Sequence, residues 1–176
     1  MIRYNQDGAD CFVYTHKEGI LSSLAHELKI RVSRFSILVN PETLEILANF
    51  DPSSLEVVCA MDGGLDGGEL AKWEVKEIER SIKNSVLKVS RYNELTFRST
   101  SVKKEEGNFY IVGNLTLFKE TKIIGTVTRL VGDKIVAQVE INQPDFGIKP
   151  FKKVLGALLK VGPIVKVVVS VPIVEI

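Results

Sequence analysis

The sequence predicts a mainly β fold, an antiparallel sheet closed into a barrel or packed as a sandwich, and three observations carry that prediction. Apolar residues alternate with polar ones at period two in many separate runs. Turn-forming residues punctuate the runs at short intervals: Asn40-Pro41, Asp51-Pro52, Glu106-Gly107-Asn108 and Gly132-Asp133. Two stretches break the rhythm with helical spacing. One apolar and one wet face per strand marks antiparallel pairing, since parallel sheets are covered on both sides.

Taken in order, Met1 to Gly8 is polar and turn-like. His26, Leu28, Ile30 and Val32 then share one face of a strand, with Glu27, Lys29, Arg31 and Ser33 on the other. Leu44, Ile46, Ala48 and Phe50 form a second such face, and Leu55, Val57, Cys59 and Met61 a third. The Gly-rich run from Asp62 to Gly68 reads as a flexible loop leading to a helix from about Glu69 to Asn84, with Leu70, Trp73, Ile78 and Ile82 at helical offsets. Strands return with Phe109, Ile111, Leu115 and Leu117, and with Ile135, Ala137, Val139 and Ile141 opposite Lys134, Gln138 and Glu140. Phe151 to Lys160 places Val154, Leu155, Leu158 and Leu159 at helical offsets; Pro150 suits its first turn and Gly162 lies past its end. Ile164 to Val171 is apolar on nearly both faces, so a strand covered on both sides is expected. No internal repeat, low-complexity segment or linker interrupts the chain.

A length of 176 residues fits one domain with one sizeable core. With 45% hydrophobic and 26% charged residues the composition is that of a globular chain, not a disordered or fibrous one. Lys plus Arg is 23 against 22 for Asp plus Glu, which argues against a dedicated nucleic-acid binder. Cys11 and Cys59 are too few for a disulfide framework and read as small buried apolar residues. No apolar stretch is long enough to span a bilayer and no secretory leader is visible, so the chain as written is expected in the cytoplasm, or in the periplasm if a leader precedes it.

Catalytic chemistry needs a nucleophile, a base or a metal, and the sequence is thin in all three. It holds two histidines, His16 and His26, and no H-E-x-x-H, P-loop or G-x-S-x-G pattern. The Gly63 to Gly68 run lacks the Lys-Ser/Thr ending of a phosphate loop, and Asp62 and Asp66 lack the spacing of a calcium loop. Cys11 and His16, five residues apart, fall on opposite faces of a strand. His26 faces inward at a strand end, either as a hydrogen-bonded core histidine or as a polar handle at the mouth of an apolar cavity. Asp145-Phe146-Gly147 offers a similar pair of readings: a strand end plugged by Phe146, or Phe146 lining a tunnel. Lys152, Lys153 and Lys160 read as the solvated face of a covering helix, with contact to an anionic membrane surface as the alternative.

Four motifs in order resemble the YceI-like family. They are Leu21-Ser22-Ser23-Leu24-Ala25-His26-Glu27-Leu28, Tyr92-Asn93-Glu94-Leu95-Thr96-Phe97-Arg98-Ser99, Gly113-Asn114-Leu115-Thr116-Leu117 followed by Thr121-Lys122, and Asp145-Phe146-Gly147-Ile148. The resemblance covers about Tyr4 to Val171. It implies an antiparallel lipocalin-like β-barrel of about eight or more strands, with one or two short flanking α-helices and a hydrophobic tunnel for a polyisoprenoid, quinone-type or other long-chain amphiphile. The chain departs from the family pattern at Phe118-Lys119 in place of His-Gly, Gln143 in place of a common Arg, Asn93 in place of Pro and Ser33 in place of Gly. Phe118 is expected to narrow the tunnel.

Parity and resemblance together name Leu28, Ile30, Val32, Phe97, Leu115, Leu117, Phe146, Leu155 and Leu158 as ligand-lining candidates, with His26 as the polar handle. The expected role is non-catalytic binding of a long-chain lipid or isoprenoid, with no metal and no cofactor beyond such a lipid. A barrel filled by Phe50, Phe97 and Phe146 that acts as an interaction module is the rival, and an enzyme using His26 as general base ranks last. Edge strands and the apolar C-terminal strand lead us to expect a homodimer.

Overall fold

In the computed structural model, which describes residues 1–17, 27–155 and 157–173, the period-two runs become strands. The first seven are β1 (Ile2–Asn5), β2 (Asp10–Tyr14), β3 (Glu27–Val32), β4 (Phe35–Val39), β5 (Ile46–Phe50), β6 (Leu55–Asp62) and β7 (Leu65–Gly68). Helix α1 (Lys72–Ser81) follows, then β8 (Leu95–Glu105), β9 (Asn108–Leu117), β10 (Glu120–Val127), β11 (Arg129–Val131) and β12 (Lys134–Asn142). The chain ends with β13 (Lys152–Leu155), β14 (Ala157–Lys160) and β15 (Ile164–Pro172).

One sheet has the order β1-β4-β5-β8-β9-β10 and the other β11-β12-β15-β2-β3-β6-β7. Their pairings are antiparallel, as the one-sided alternation requires. The expected single closed barrel is not formed among the described residues; two sheets face each other instead. The reason is local to Thr128. Its N–H donates to Phe109 O at 2.9 Å and its Oγ1 accepts the Phe109 N–H at 2.9 Å, which ends the β9–β10 ladder. The chain then enters β11, which pairs with β12 over Arg129↔Val136 to Val131↔Lys134, while β12 spends its other edge on β15. Between β10 and β12 the main link is Thr126 Oγ1 donating to Gln138 O at 2.6 Å.

Four further sequence expectations are corrected. Asp62 to Gly68 is a hairpin and not a loose loop: Gly63 and Gly64 take φ of 56° and 86°, and Asp62 pairs with Leu65. Two consecutive positive φ values suit a tight hairpin turn, which favours glycine at both positions. The expected helix from Phe151 to Lys160 is a pair of strands, β13 against β14, with Lys152↔Lys160 and Leu155↔Ala157 in register. Val161 N–H donates to Phe151 O at 3.1 Å, and ten helical residues would hold those groups about 15 Å apart. A hairpin brings them together. Leu44 is no strand residue: it closes a turn at φ 61° in which Asn40 O accepts the Leu44 N–H at 2.8 Å. Finally, β15 lies inside its sheet between β12 and β2, and its residues are half-buried on both faces where full cover was expected.

Strand β6 holds the other departure. Lys29 pairs with Cys59 but Ile30 pairs with Val57, which leaves Val58 as a bulge. Leu55 and Val57 face inward as expected, whereas Cys59 and Met61 turn to the face of Lys29 and Glu27, and Ala60 joins Leu28 inside. Helix α1 is fastened at this bulge: Glu79 Oε1 accepts the Val57 N–H at 2.9 Å. Val75, Ile78 and Ile82 then pack on the core, and the helix runs on through a π-type turn, Ile82–Val86, closed by Leu87 N–H to Ile82 O at 2.9 Å. Replacing Glu79 by Ala leaves the Val57 amide without its acceptor. We expect the variant to lose about 1–3 kcal/mol in urea titration, and an unchanged midpoint would show that the helix is held by apolar packing alone.

Candidate functional site: an apolar cavity between the sheets

The inward faces of the two sheets do not fill the space between them. A cavity of about 640 Å³ remains, within the range of small-molecule sites. Its wall is built by parity: Cys11 and Val13 from β2, Leu28, Ile30 and Val32 from β3, Phe97 from β8, Leu115 and Leu117 from β9. Val139 and Ile141 from β12 and Val165, Val167, Val169 and Val171 from β15 complete the sheet walls. Trp73, Ile78 and Ile82 of α1 close one side, with Trp73 largely exposed.

Six of the ten residues named from sequence therefore line the cavity, Leu28, Ile30 and Val32 from one sheet and Phe97, Leu115 and Leu117 from the other. Phe146 does not. It is 3% exposed and packs with Leu115, Ile141 and Ile148 outside the wall, where it also floors a groove between β10 and β12. The turn that sends it there, Gln143–Phe146, ends on Gly147 at φ 73°, a left-handed position that glycine takes without strain. His26 and the side chains of Leu155 and Leu158 lie outside the described residues, although Leu155 and Leu158 both belong to the β13–β14 hairpin. Sequence reasoning named no wall residue from β2 or β15. The alternation Cys11, Val13, Thr15 and the odd-numbered valines from Val165 to Val171 carried that signal in short or doubly apolar runs.

Polar groups on the wall are few and mostly committed. Thr15 Oγ1 accepts the Leu28 N–H at 3.0 Å, and Gln143 Nε2 donates to Gly162 O at 3.1 Å. Glu74 and Glu77 are the charged wall residues among those described, both on α1, and Glu74 Oε2 accepts the Ala71 N–H at 3.0 Å. Burial pushes the Cys11 thiol up to about 12, so it stays neutral across the physiological range. Among the described residues no three metal-ligating side chains converge.

One backbone position shapes this wall from behind. A Cβ on Gly113 would lie 2.5 Å from Arg98 O and 2.5 Å from the Phe97 ring. Glycine there lets the ring lie flat against β9. Substituting Gly113→Ala is expected to drive the Phe97 ring off its seat and cost about 1–3 kcal/mol; urea titration checks this, and a neutral result would place the ring elsewhere. Cys11 gives a second test. Its alkylation by iodoacetamide at pH 8, followed by peptide mass spectrometry, should be far slower in the folded protein than in denaturant, because the thiol is buried and carries almost no thiolate.

The molecule is thus a mainly antiparallel β protein wrapped round a large apolar cavity, a class defined by what it encloses. The chain belongs to the YceI-like family: the YceI-like domain model matches residues 15–173. Among solved structures, BcnA of Burkholderia cenocepacia is similar over 92% of this chain and 94% of that chain, with a TM-score of 0.61 at 11% identity. The Campylobacter jejuni YCEI protein is similar over 68% of this chain and 70% of that one, with a TM-score of 0.48 at 15% identity. At such identities the likeness to BcnA shows the fold. A comparison with curated proteins finds no match.

Proposed function

We propose that this protein binds a long-chain apolar or amphiphilic ligand, of polyisoprenoid, quinone or fatty-acid-like type, in the cavity between its sheets, and carries or stores it without chemical change. The observation that carries this reading is the cavity itself: about 640 Å³, walled by aliphatic and aromatic side chains from both sheets and α1. Moving a methylene from water into such a site is worth roughly 0.8 kcal/mol. A chain of several prenyl units gains enough to outweigh the ordering cost of association. No helix among the described residues is long and apolar enough to cross a membrane, and an apolar cavity suits a ligand that is itself poorly soluble.

The rival reading of a self-filled interior draws less support, because Phe50 and Phe97 stand on the wall of an open space. Self-association has separate support. Tyr110, Val112, Ile123 and Val127 are exposed on the paired strands β9 and β10, a strip that a second copy could cover.

Organic extraction of the purified protein followed by mass spectrometry, with native mass spectrometry in parallel, tests the binding reading. A stoichiometric long-chain lipid is the expected result. Phe97→Asp or Leu117→Asp is expected to abolish retention by placing a charge on the wall, while Lys29→Ala on the outer face leaves it intact. Equal retention in all three would remove these residues from the site.

A further inference from the structure

We infer that one end of the cavity is a subsite for an uncharged hydroxyl, formed by Gln143 and Thr15, and that the ligand is a long-chain alcohol; this rests on the cavity being the ligand site. Gln143 is 7% exposed and stands on the wall. Its backbone N–H donates to Pro163 O at 2.8 Å and its carbonyl accepts the Ile148 N–H at 3.1 Å. Its side-chain Nε2 donates to Gly162 O at 3.1 Å. Turning the amide over would set oxygen against oxygen, so the orientation is settled by that contact. Among the described residues nothing donates to the remaining group, Oε1. Every fully buried side-chain polar atom among the described residues is paired, so this unpaired oxygen is one that the cavity leaves open to a donor.

Thr15 is the complement. It is 9% exposed, also on the wall, and its Oγ1 uses one lone pair on the Leu28 N–H at 3.0 Å. Among the described residues its hydroxyl proton has no acceptor. The two residues are tied to the same point of the chain. Gly162 takes the Gln143 amide on its oxygen, and its N–H donates to His16 O at 2.7 Å, the residue next to Thr15. An open acceptor and an open donor thus both line the apolar cavity, joined through Gly162. A hydroxyl both donates and accepts and satisfies the pair. An ether or ketone oxygen satisfies Thr15 alone. A carboxylate or phosphate sets negative charge against Gln143 Oε1, and the charged wall residues among those described, Glu74 and Glu77, are themselves anionic. A site built to pair with a hydroxyl discriminates against analogues that lack one.

The test compares geranylgeraniol, its methyl ether and geranylgeranoic acid, read by the fluorescence of Trp73, the chain's one tryptophan and a wall residue. The alcohol is expected to bind about tenfold more tightly than the ether or the acid. Gln143→Leu brings alcohol and ether to parity with the ether affinity unchanged, Thr15→Val weakens both, and Thr15→Ser keeps the preference. Equal binding of alcohol and ether by the unsubstituted protein overturns the subsite and leaves the cavity reading standing. Failure of all three probes to bind overturns both. The comparison on the unsubstituted protein decides the matter even if a variant does not fold.

Discussion

Ser54 is a buried hydroxyl on which the separation of the two sheets depends. It is 3% exposed, its Oγ donates to Asp51 O at 2.7 Å and accepts the Arg34 N–H at 3.0 Å, and its carbonyl accepts both the Ser33 N–H and the Ser33 hydroxyl. At this one corner the chain crosses twice between sheets, from β3 to β4 and from β5 to β6. A buried hydroxyl must be paired, so the corner admits few alternatives. Arg34 braces it from outside through its ion pair with Asp51 at 2.8 Å. Thr128 plays the matching part across the molecule, where β10 gives way to β11. Polar side chains at two corners thus set the sheets apart, and the apolar faces between them are left to line a space they do not fill.

That arrangement departs from ordinary packing. Protein interiors are as dense as organic crystals, and an unfilled apolar void forfeits the contacts its lining would otherwise make. Many of the wall side chains are β-branched or aromatic and stiff, above all the four valines of β15. They hold the void open where flexible side chains would collapse into it. A protein built this way stores unrealised contact energy that a ligand can release, so occupancy raises its resistance to unfolding by mass action.

Much of this was legible in the sequence, and the exceptions share a cause. Alternation placed Leu28, Ile30 and Val32, and Leu115 and Leu117, on the correct face because the bulges in their ladders put the extra residue on the partner strands β6 and β8, so each run keeps its own phase. Helical offsets located α1 because Trp73, Ile78 and Ile82 recur on the side that faces the cavity. Local pattern failed where a contact distant in sequence decided the outcome. The Val154–Leu159 stretch has helical offsets, but Phe151 and Val161 are bound to each other. Phe146 sits beside the wall residue Ile141 in space, yet the turn ending on Gly147 carries it behind the wall. Closure into one barrel depends on where β10 stops, and that is set by Thr128 meeting Phe109, nineteen residues away.

The bulge at Val58 has a consequence for how this family of sequences records its own geometry. Side-chain direction in a strand is a two-state variable carried forward from residue to residue, and one unpaired residue inverts it for all that follow. In β6 the inside reads odd up to Val57 and even from Ala60 onward. Homologues aligned across this point without a gap would superpose interior positions of one on exterior positions of another wherever the bulge has moved. The substitution record at Cys59 and Ala60 would then blend two environments. A bulge is in this sense a parity error that the fold keeps, and its location must be known before variation in β6 can be read as pressure on the cavity.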